Sequence, residues 1–428
     1  MTSWLAYEEL LDRAEAAQGA LRNSLEALCD AAKPIKRALR SGERRVNVAR
    51  GYDLLRARAV ETPYARLENR YEPAIGRTVV DLSPCAFDLS GAAITQAGAV
   101  IVDDTAFVSE FRSSPKMWRD YGFWGMARSD FGFAGYDRSS ETCVVDHPDR
   151  MPSLPREDVY FLFNSNLARS NFGHFVHDLL GQLCVYHHLE RLLRRKLRPL
   201  LMGGVWGLTR SDGSPFRYEM LSFLFEQLIA PVASVVVIGP AGARVPHCFS
   251  AKTAMPAPAF PGEVEVSVGS FVYAHERLRE IATRHADPAR SHVRIHVSRA
   301  DAPASADRCF SNLNEAELLL AERGFSSLTV GSMSVVETLA AFAPAEHICG
   351  IHGAGLVNFV FASRPVLVTE IMDHPTSWPS IALLGVALGM DVRRVSASPP
   401  GQETGGRPSI DLNRLAEAVA RRNPRSAG

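Results

Sequence analysis

Residues with the types and spacing for chemistry fall in two stretches far apart in the chain. His352-Gly353-Ala354-Gly355-Leu356, with Asn358 close behind, follows the apolar run 347–351 and precedes a second apolar run that reaches Glu370. A strand that passes through small residues into a helix leaves unpaired backbone N–H groups and the positive end of a helix dipole at the turn, which suits a phosphate. The other stretch is Asn171-Phe172-Gly173-His174-Phe175-Val176-His177-Asp178. At helical spacing His174 and Asp178 share a face one turn apart, where an imidazole and a carboxylate could do proton work; the same spacing also fits a structurally satisfied histidine.

Further polar groups fall beside the first stretch. Arg299 follows the run 293–298, Arg308 precedes Asn314-Glu315, and Glu370 ends its own run. Two guanidiniums and a glycine-bounded helix start form a plausible pyrophosphate clamp, and an acid at a strand end can hold a ribose diol. The plainer alternative pairs Arg299 with Glu370 as ions and uses Asn314 as a helix cap.

The elements that must position these groups alternate regularly. Strands are expected at 293–298, 327–330, 347–351, 366–371 and 391–395, with helices at 271–285, 314–323, 334–342, 354–361 and 380–388. Such alternation implies a parallel, doubly wound sheet whose ligands sit beyond the carboxyl ends of its strands. Upstream, strands at 159–163, 200–202 and 235–238 alternate with helices from 174 and at 218–229, a first α/β layer. The basic run 191–198 reads as the surface of an amphipathic helix. Prolines 256, 258 and 261 mark a linker over 253–262.

Nearer the amino terminus, short β-type runs are expected at 78–82 and 99–103, and irregular connections over 113–155. Asp103 and Asp104 read as a turn before they read as a metal site. Arginines between 40 and 58 read as a solvated helical face. Trp4, Tyr7, Leu11, Ala14, Gln18, Leu21, Leu25 and Leu28 form a heptad seam, compatible with a helix packed on its own domain or with a homodimer through residues 4–32. The expected division is a helical extension at 1–60, an acceptor-side α/β domain at 61–255, a Rossmann-like domain at 256–395, and a tail at 396–428 with a last helix at 412–420.

Composition narrows the partners. The chain has 428 residues with 47 basic and 47 acidic side chains, so no global field draws it to nucleic acid or an acidic membrane, and any polyanion site must be local. Seven dispersed cysteines show no zinc spacing and argue for reduced thiols. With no apolar signal segment and no run of about 18 apolar residues, the expected setting is cytoplasmic, with peripheral contact at the inner face of a membrane left open.

Taken in order, these pieces resemble the glycosyltransferase family 61 domain. The family's Asn-aromatic-Gly-His-aromatic segment and following Asp match Asn171-Phe172-Gly173-His174-Phe175 and Asp178. Its strand ending in Ser-Arg matches Ser298-Arg299, and its Arg before Asn-Glu matches Arg308 with Asn314-Glu315, though the spacing here is longer. His352-Gly353-Ala354-Gly355-Leu356 with Asn358 matches the next block, and Glu370-Ile371 the closing acidic strand. The resemblance spans roughly 155–395; residues 1–60 have no counterpart in it.

It implies a GT-B fold, two Rossmann-like domains facing a cleft, and inverting transfer of a sugar from a nucleotide donor, usually a UDP-sugar, to a saccharide hydroxyl. With charge on the departing diphosphate held by arginines and backbone amides and no Asp-x-Asp after a strand in the donor domain, no metal or other cofactor is expected, and the cytosolic, reduced setting suits bacterial polysaccharide or glycan synthesis. Asp178 or His174 would be the base, with the arginines and the glycine turn on the diphosphate. A non-catalytic carbohydrate- or nucleotide-binding protein of this fold, or a nucleotide-sugar epimerase, is the competing reading.

Overall fold

Tyr160–Phe163 carries four apolar side chains in a row, so as a strand it needs cover on both faces. Phe161 and Phe163 enter one core with Phe175, Leu179 and Phe225, while Tyr160 and Leu162 enter another with Phe87, Leu200 and Val245. The structure is a computed structural model that describes residues 43–50, 59–61, 70–73, 76–82, 84–96, 98–102, 105–108, 133–137, 142–146, 148–165, 167–203, 214–252, 254–255, 263–286, 293–299, 310–373, 379–398 and 407–420. The expected heptad helix at 4–32, Asp103, Asp104, Arg308 and most of the expected linker lie outside these residues.

Tyr160–Phe163 pairs in parallel with Arg198–Leu201 on one side and Cys248–Ala251 on the other. The sheet runs Val236–Val237, Arg198–Leu201, Tyr160–Phe163, Cys248–Ala251, Cys85–Asp88, Ala59–Glu61, the last two joined by antiparallel pairing. The chain moves outward from the central strand to Val236–Val237, then returns to its other side at Cys248–Ala251. That reversal is a switch point, the usual ligand position of a parallel sheet.

A second sheet is wholly parallel, in the order Ser326–Leu328, Arg294–Val297, His347–Ile351, Leu367–Met372, Asp391–Ser396. Its switch point lies between Arg294–Val297 and His347–Ile351, the two strands that lead to Arg299 and His352. The expected strands here agree within about two residues, as do the helices expected at 314–323, 334–342 and 380–388. Ser334 starts the helix Val335–Phe342 with a capping box to Glu337. Strand periodicity divides the apolar residues: Ile348 and Val368 face the large core, while Cys349, Ile351, Ile371 and Val395 meet Ala316, Leu320, Leu415 and Val419.

Helix Val268–His285 joins the two halves. It buries Phe271, Ala274, Leu278 and Ile281 at helical spacing and packs on Leu183–Leu193, Val335–Phe342 and the turn Leu356–Phe361. One apolar core therefore runs unbroken from Phe161 to Val368.

Two expectations for the amino-terminal part need correction. Glu43–Arg50 is a strand, not part of a helical face or of a helical extension reaching residue 60; it pairs with Thr105–Val108 and Thr142–Asp146 in a seven-stranded sheet. Val46 and Val48 alternate there with polar residues, the two-residue period of a strand, which the arginine density obscures. The region 113–155 holds two more strands of that sheet, Phe133–Asp137 and Thr142–Asp146. A small sheet of Glu263–Val266, Arg77–Asp81 and Arg70–Glu72 completes the β structure of the described residues. No helix among them is long and apolar enough to cross a membrane.

Two buried histidines make stability depend on pH. Burial lowers His275 to about 4 and His347 to about 3, with Arg279 adding to the first and Arg294 and Arg393 to the second. Unfolding exposes both to protonation near their ordinary value of about 6.5, so between that pH and the folded values the unfolded chain binds more protons. Stability therefore falls as pH drops from about 6.5 toward 4. Urea midpoints at pH 7, 5.5 and 4.5 should decline in that order, and the decline should be shallower in His347→Gln; parallel curves would exclude His347 as a source.

Candidate active site

Asn171 opens the first stretch as a helix cap, its Oδ1 accepting from the His174 amide at 3.2 Å. The continuous helix expected from His174 is broken into pieces. One turn, Phe172–His174, gives way to a π-helix at Phe175–Leu179, a 3-10 turn at Leu180–Gln182, and only then the α-helix Leu183–Leu193. Wide turns of this kind recur at functional sites.

Here the wide turn seats a polar cluster against the apolar core. His174 Nδ1 lies 2.8 Å from Asp178 Oδ2, His177 Nδ1 lies 2.5 Å from Oδ1, and Ser165 Oγ donates to Oδ2 at 3.1 Å. Gln182 braces the turn, donating to the Asp178 carbonyl at 2.8 Å and accepting from the Asn164 amide at 3.2 Å.

Asp178 is sealed, with 7% of its side chain exposed against 20% for His174 and 11% for His177. Burial alone would raise its pKa, but His177 and His174 beside it outweigh burial and hold the carboxyl well below the usual carboxylate range. An ionised carboxylate only accepts, so each Nδ1 is the donor and each Nε2 is left as the basic nitrogen. Asp178 thus holds both imidazoles by their Nδ1 atoms and is the least exposed of the three side chains. His174, His177 and Asp178 also form a group, its ligand atoms all within 4.8 Å of one another, that could hold a metal ion.

The second stretch lies directly against the first. A Cβ at Gly173 would sit 3.7 Å from Val357 Cγ2 and 3.8 Å from the Ala354 Cα, and the rings of Phe172 and Phe361 are 5.8 Å apart. His352 extends the strand ladder by one bond, its amide donating to the Ile371 carbonyl at 2.8 Å.

The helix expected from 354 is instead a 3-10 helix, Leu356–Phe361, and the Leu356 amide is used inside the turn, donating to the Gly353 carbonyl at 3.1 Å. Among the described residues none accepts from the amides of Gly353, Ala354 or Gly355, so the open donors are these three and not Leu356. Asn358 is buried and donates to the Gly355 carbonyl at 2.7 Å, which fixes the turn. A Cβ at Gly355 would come within 3.1 Å of Val297 Cγ1, so the residue there must be small. Leu356 is fully buried beneath the turn.

His352, Glu370 and Arg394 lie on one face at the ends of three neighbouring strands. Glu370, with no side-chain exposure, takes His352 Nδ1 at 2.5 Å and Arg394 Nε at 3.1 Å. Both carboxylate oxygens thus have a partner inside the protein, one in His352 and the other in Arg394. Its cationic partner is Arg394, opposite it in register, and not Arg299. Arg394 Nη2 is buried with no partner, an unsatisfied donor beside the site.

Arg299 is half-buried two residues past its strand, at the switch point, while Arg308 lies outside the described residues. Asn314 and Glu315 are exposed on the first turn of Leu313–Glu322 and are not brought to the site by any described contact. Asn312, not Asn314, holds the cap position, and its side chain is spent on both backbone groups of Ile410. Sequence reasoning passed over Ser165, His177, Gln182 and Arg394; His177 was marked by its adjacency to Asp178, Arg394 by its charge within an apolar run.

The mixed α/β fold thus sets two oriented imidazoles beside a turn of open amides. Residues 172–369 match the family described as Glycosyltransferase 61, and that match supports a glycosyltransferase. The match begins at the His174 stretch and runs through the glycine turn. Comparison with curated proteins finds no match.

Proposed function

We propose that this glycosyltransferase inverts the anomeric centre, taking a sugar from a nucleotide donor, most simply a UDP-sugar, to a saccharide hydroxyl in polysaccharide synthesis. The observation that carries the proposal is the contact of Gly173 with Ala354, which brings the Asp178-oriented histidines against the open amides of 353–355. In this reading the six-stranded sheet, parallel at its centre, and the wholly parallel five-stranded sheet are the halves of a GT-B arrangement, with the nucleotide at the carboxyl edge of the five-stranded one.

The acceptor O–H gives its proton to Nε2 of His174, the more accessible imidazole, as its oxygen bonds to the anomeric carbon. The bond from that carbon to the diphosphate breaks on the opposite face, and its electron pair leaves with the phosphate oxygen. Arg299 and the amides of 353–355 stabilise that charge, each such contact contributing a few kcal/mol in a closed site. His177, on the other oxygen of Asp178, holds the carboxylate in place. Because both Nδ1 atoms are committed to Asp178, proton transfer is favoured over metal binding for this cluster, and the diphosphate is held without a divalent ion.

The test is a thermal-shift panel. UDP should stabilise the protein where ADP and GDP do not, with and without EDTA, and Arg299→Ala should weaken UDP by about 10- to 100-fold, the scale of one charge-assisted hydrogen bond. No response to any nucleotide would overturn the donor assignment. Release of free UDP together with a mass increment on an acceptor separates transfer from epimerisation and from simple binding.

A further inference from the structure

The carboxyl edge of the six-stranded sheet carries two buried polar groups that the proposed proton transfer does not use. Arg169, 6% exposed, donates from Nε to the Pro215 carbonyl at 2.7 Å and from Nη1 to the carbonyls of Met202 and Gly203 at 3.3 and 2.5 Å. No carboxylate among the described residues pairs with it, and burial alone lowers its pKa with no acid offsetting it. Its Nη2 has no partner among the described residues and is not among the atoms sealed from solvent.

Asn164 is the second. It directly follows Tyr160–Phe163, is 5% exposed, and has both side-chain atoms buried without a partner. Met202 and Gly203 follow the neighbouring parallel strand, so the two groups share one sheet edge, Asn164 at the switch point. An uncompensated guanidinium and an unsatisfied amide are both costly to bury, and a ligand that brings an anion and a hydroxyl supplies what each lacks. The edge also adjoins the proton-transfer cluster: Ser165 bonds Asp178, and Gln182 takes the Asn164 amide.

We propose that Asn164 and Arg169 form an acceptor subsite that recognises an acidic sugar, one bearing a carboxylate or a phosphate. The assignment of this edge to the acceptor rests on the transferase reading above; the preference for an anion rests on Arg169 itself.

Calorimetric titration of the full chain, with saturating UDP to fill the donor site, should show glucuronate or glucose 6-phosphate binding at least tenfold tighter than glucose, and whichever binds names the acidic group. Asn164→Ala removes an amide that bonds nothing in the chain, so it should keep the wild-type melting temperature and UDP response while acidic-sugar affinity drops tenfold or more. Arg169→Gln should abolish the preference over glucose. Equal binding of glucose and both acidic sugars overturns the proposal, as does unchanged affinity in Asn164→Ala, which would leave Arg169 a loop clamp only. Absence of a UDP response with a retained, Asn164-dependent acidic-sugar response would sink the donor reading and leave this one standing.

Discussion

His174→Ala lowers the single-turnover rate of sugar transfer by about 10²- to 10⁴-fold, the range of a positioned general base, and leaves UDP affinity close to wild type. The expectation rests on which member of the cluster can reach a substrate. Asp178 has both oxygens engaged and 7% of its side chain exposed, whereas His174 is the most open of the three. Asp178→Asn should cost a comparable factor for a different reason. Its amide can donate to Nδ1, which permits the tautomer that puts the proton on Nε2 and removes the base.

Melting curves separate chemistry from folding here, since both variants must retain the UDP-induced shift for the comparison to count. His177→Ala is the discriminating third variant. If its rate falls by the larger factor and that of His174→Ala stays near wild type, the base is His177; if all three variants transfer at near-normal rates, the base lies outside the cluster.

The second large effect is on stability. Glu370→Gln removes the charge that Arg394 faces in a site where Glu370 has no side-chain exposure and Arg394 has 16%. Breaking a buried pair by neutralising one partner typically costs about 3–5 kcal/mol, because the remaining ion is left uncompensated. Arg394 has little in reserve, since its Nη2 is already without a partner. Chemical unfolding at pH 7 should show that loss in Glu370→Gln and a smaller one in the double variant Glu370→Gln, Arg394→Met, where no charge remains to be buried. Additive losses would mean that the two side chains act independently. UDP affinity should also fall in Glu370→Gln, through the loosened His352, while Asp178→Asn leaves it intact; that contrast separates the donor side of the site from the proton-transfer side.

Much of this architecture is legible in the sequence, for a definable reason. The strands of the five-stranded sheet are short apolar runs set between amphipathic helices, and that periodicity survives in one dimension because each element's burial pattern is local. The switch-point position of Arg299 and of His352 to Gly355 comes from their places at strand ends. The motif order from Asn171 to Glu370 was enough to indicate the family.

Pairing between distant segments is settled only in three dimensions. Asp178 and His174 could be placed on one face of a helix, but the π-turn with His177 on the second oxygen, and Ser165 beside the first, appear only in the folded chain. Glu370 could be placed at a strand end, yet its partner is Arg394 because the register of the last two parallel strands sets those residues opposite each other. The strand Glu43–Arg50 finds its place only beside Thr105–Val108 and Thr142–Asp146. Side-chain type and local period are written in the chain, whereas hydrogen-bond partners across strands and the burial of a charge are established when the sheets close on their shared core. That is why the order of residues alone marks His174, Asp178, His352 and Glu370 as site candidates, while the closed fold buries Asp178 and Glu370 against their histidines.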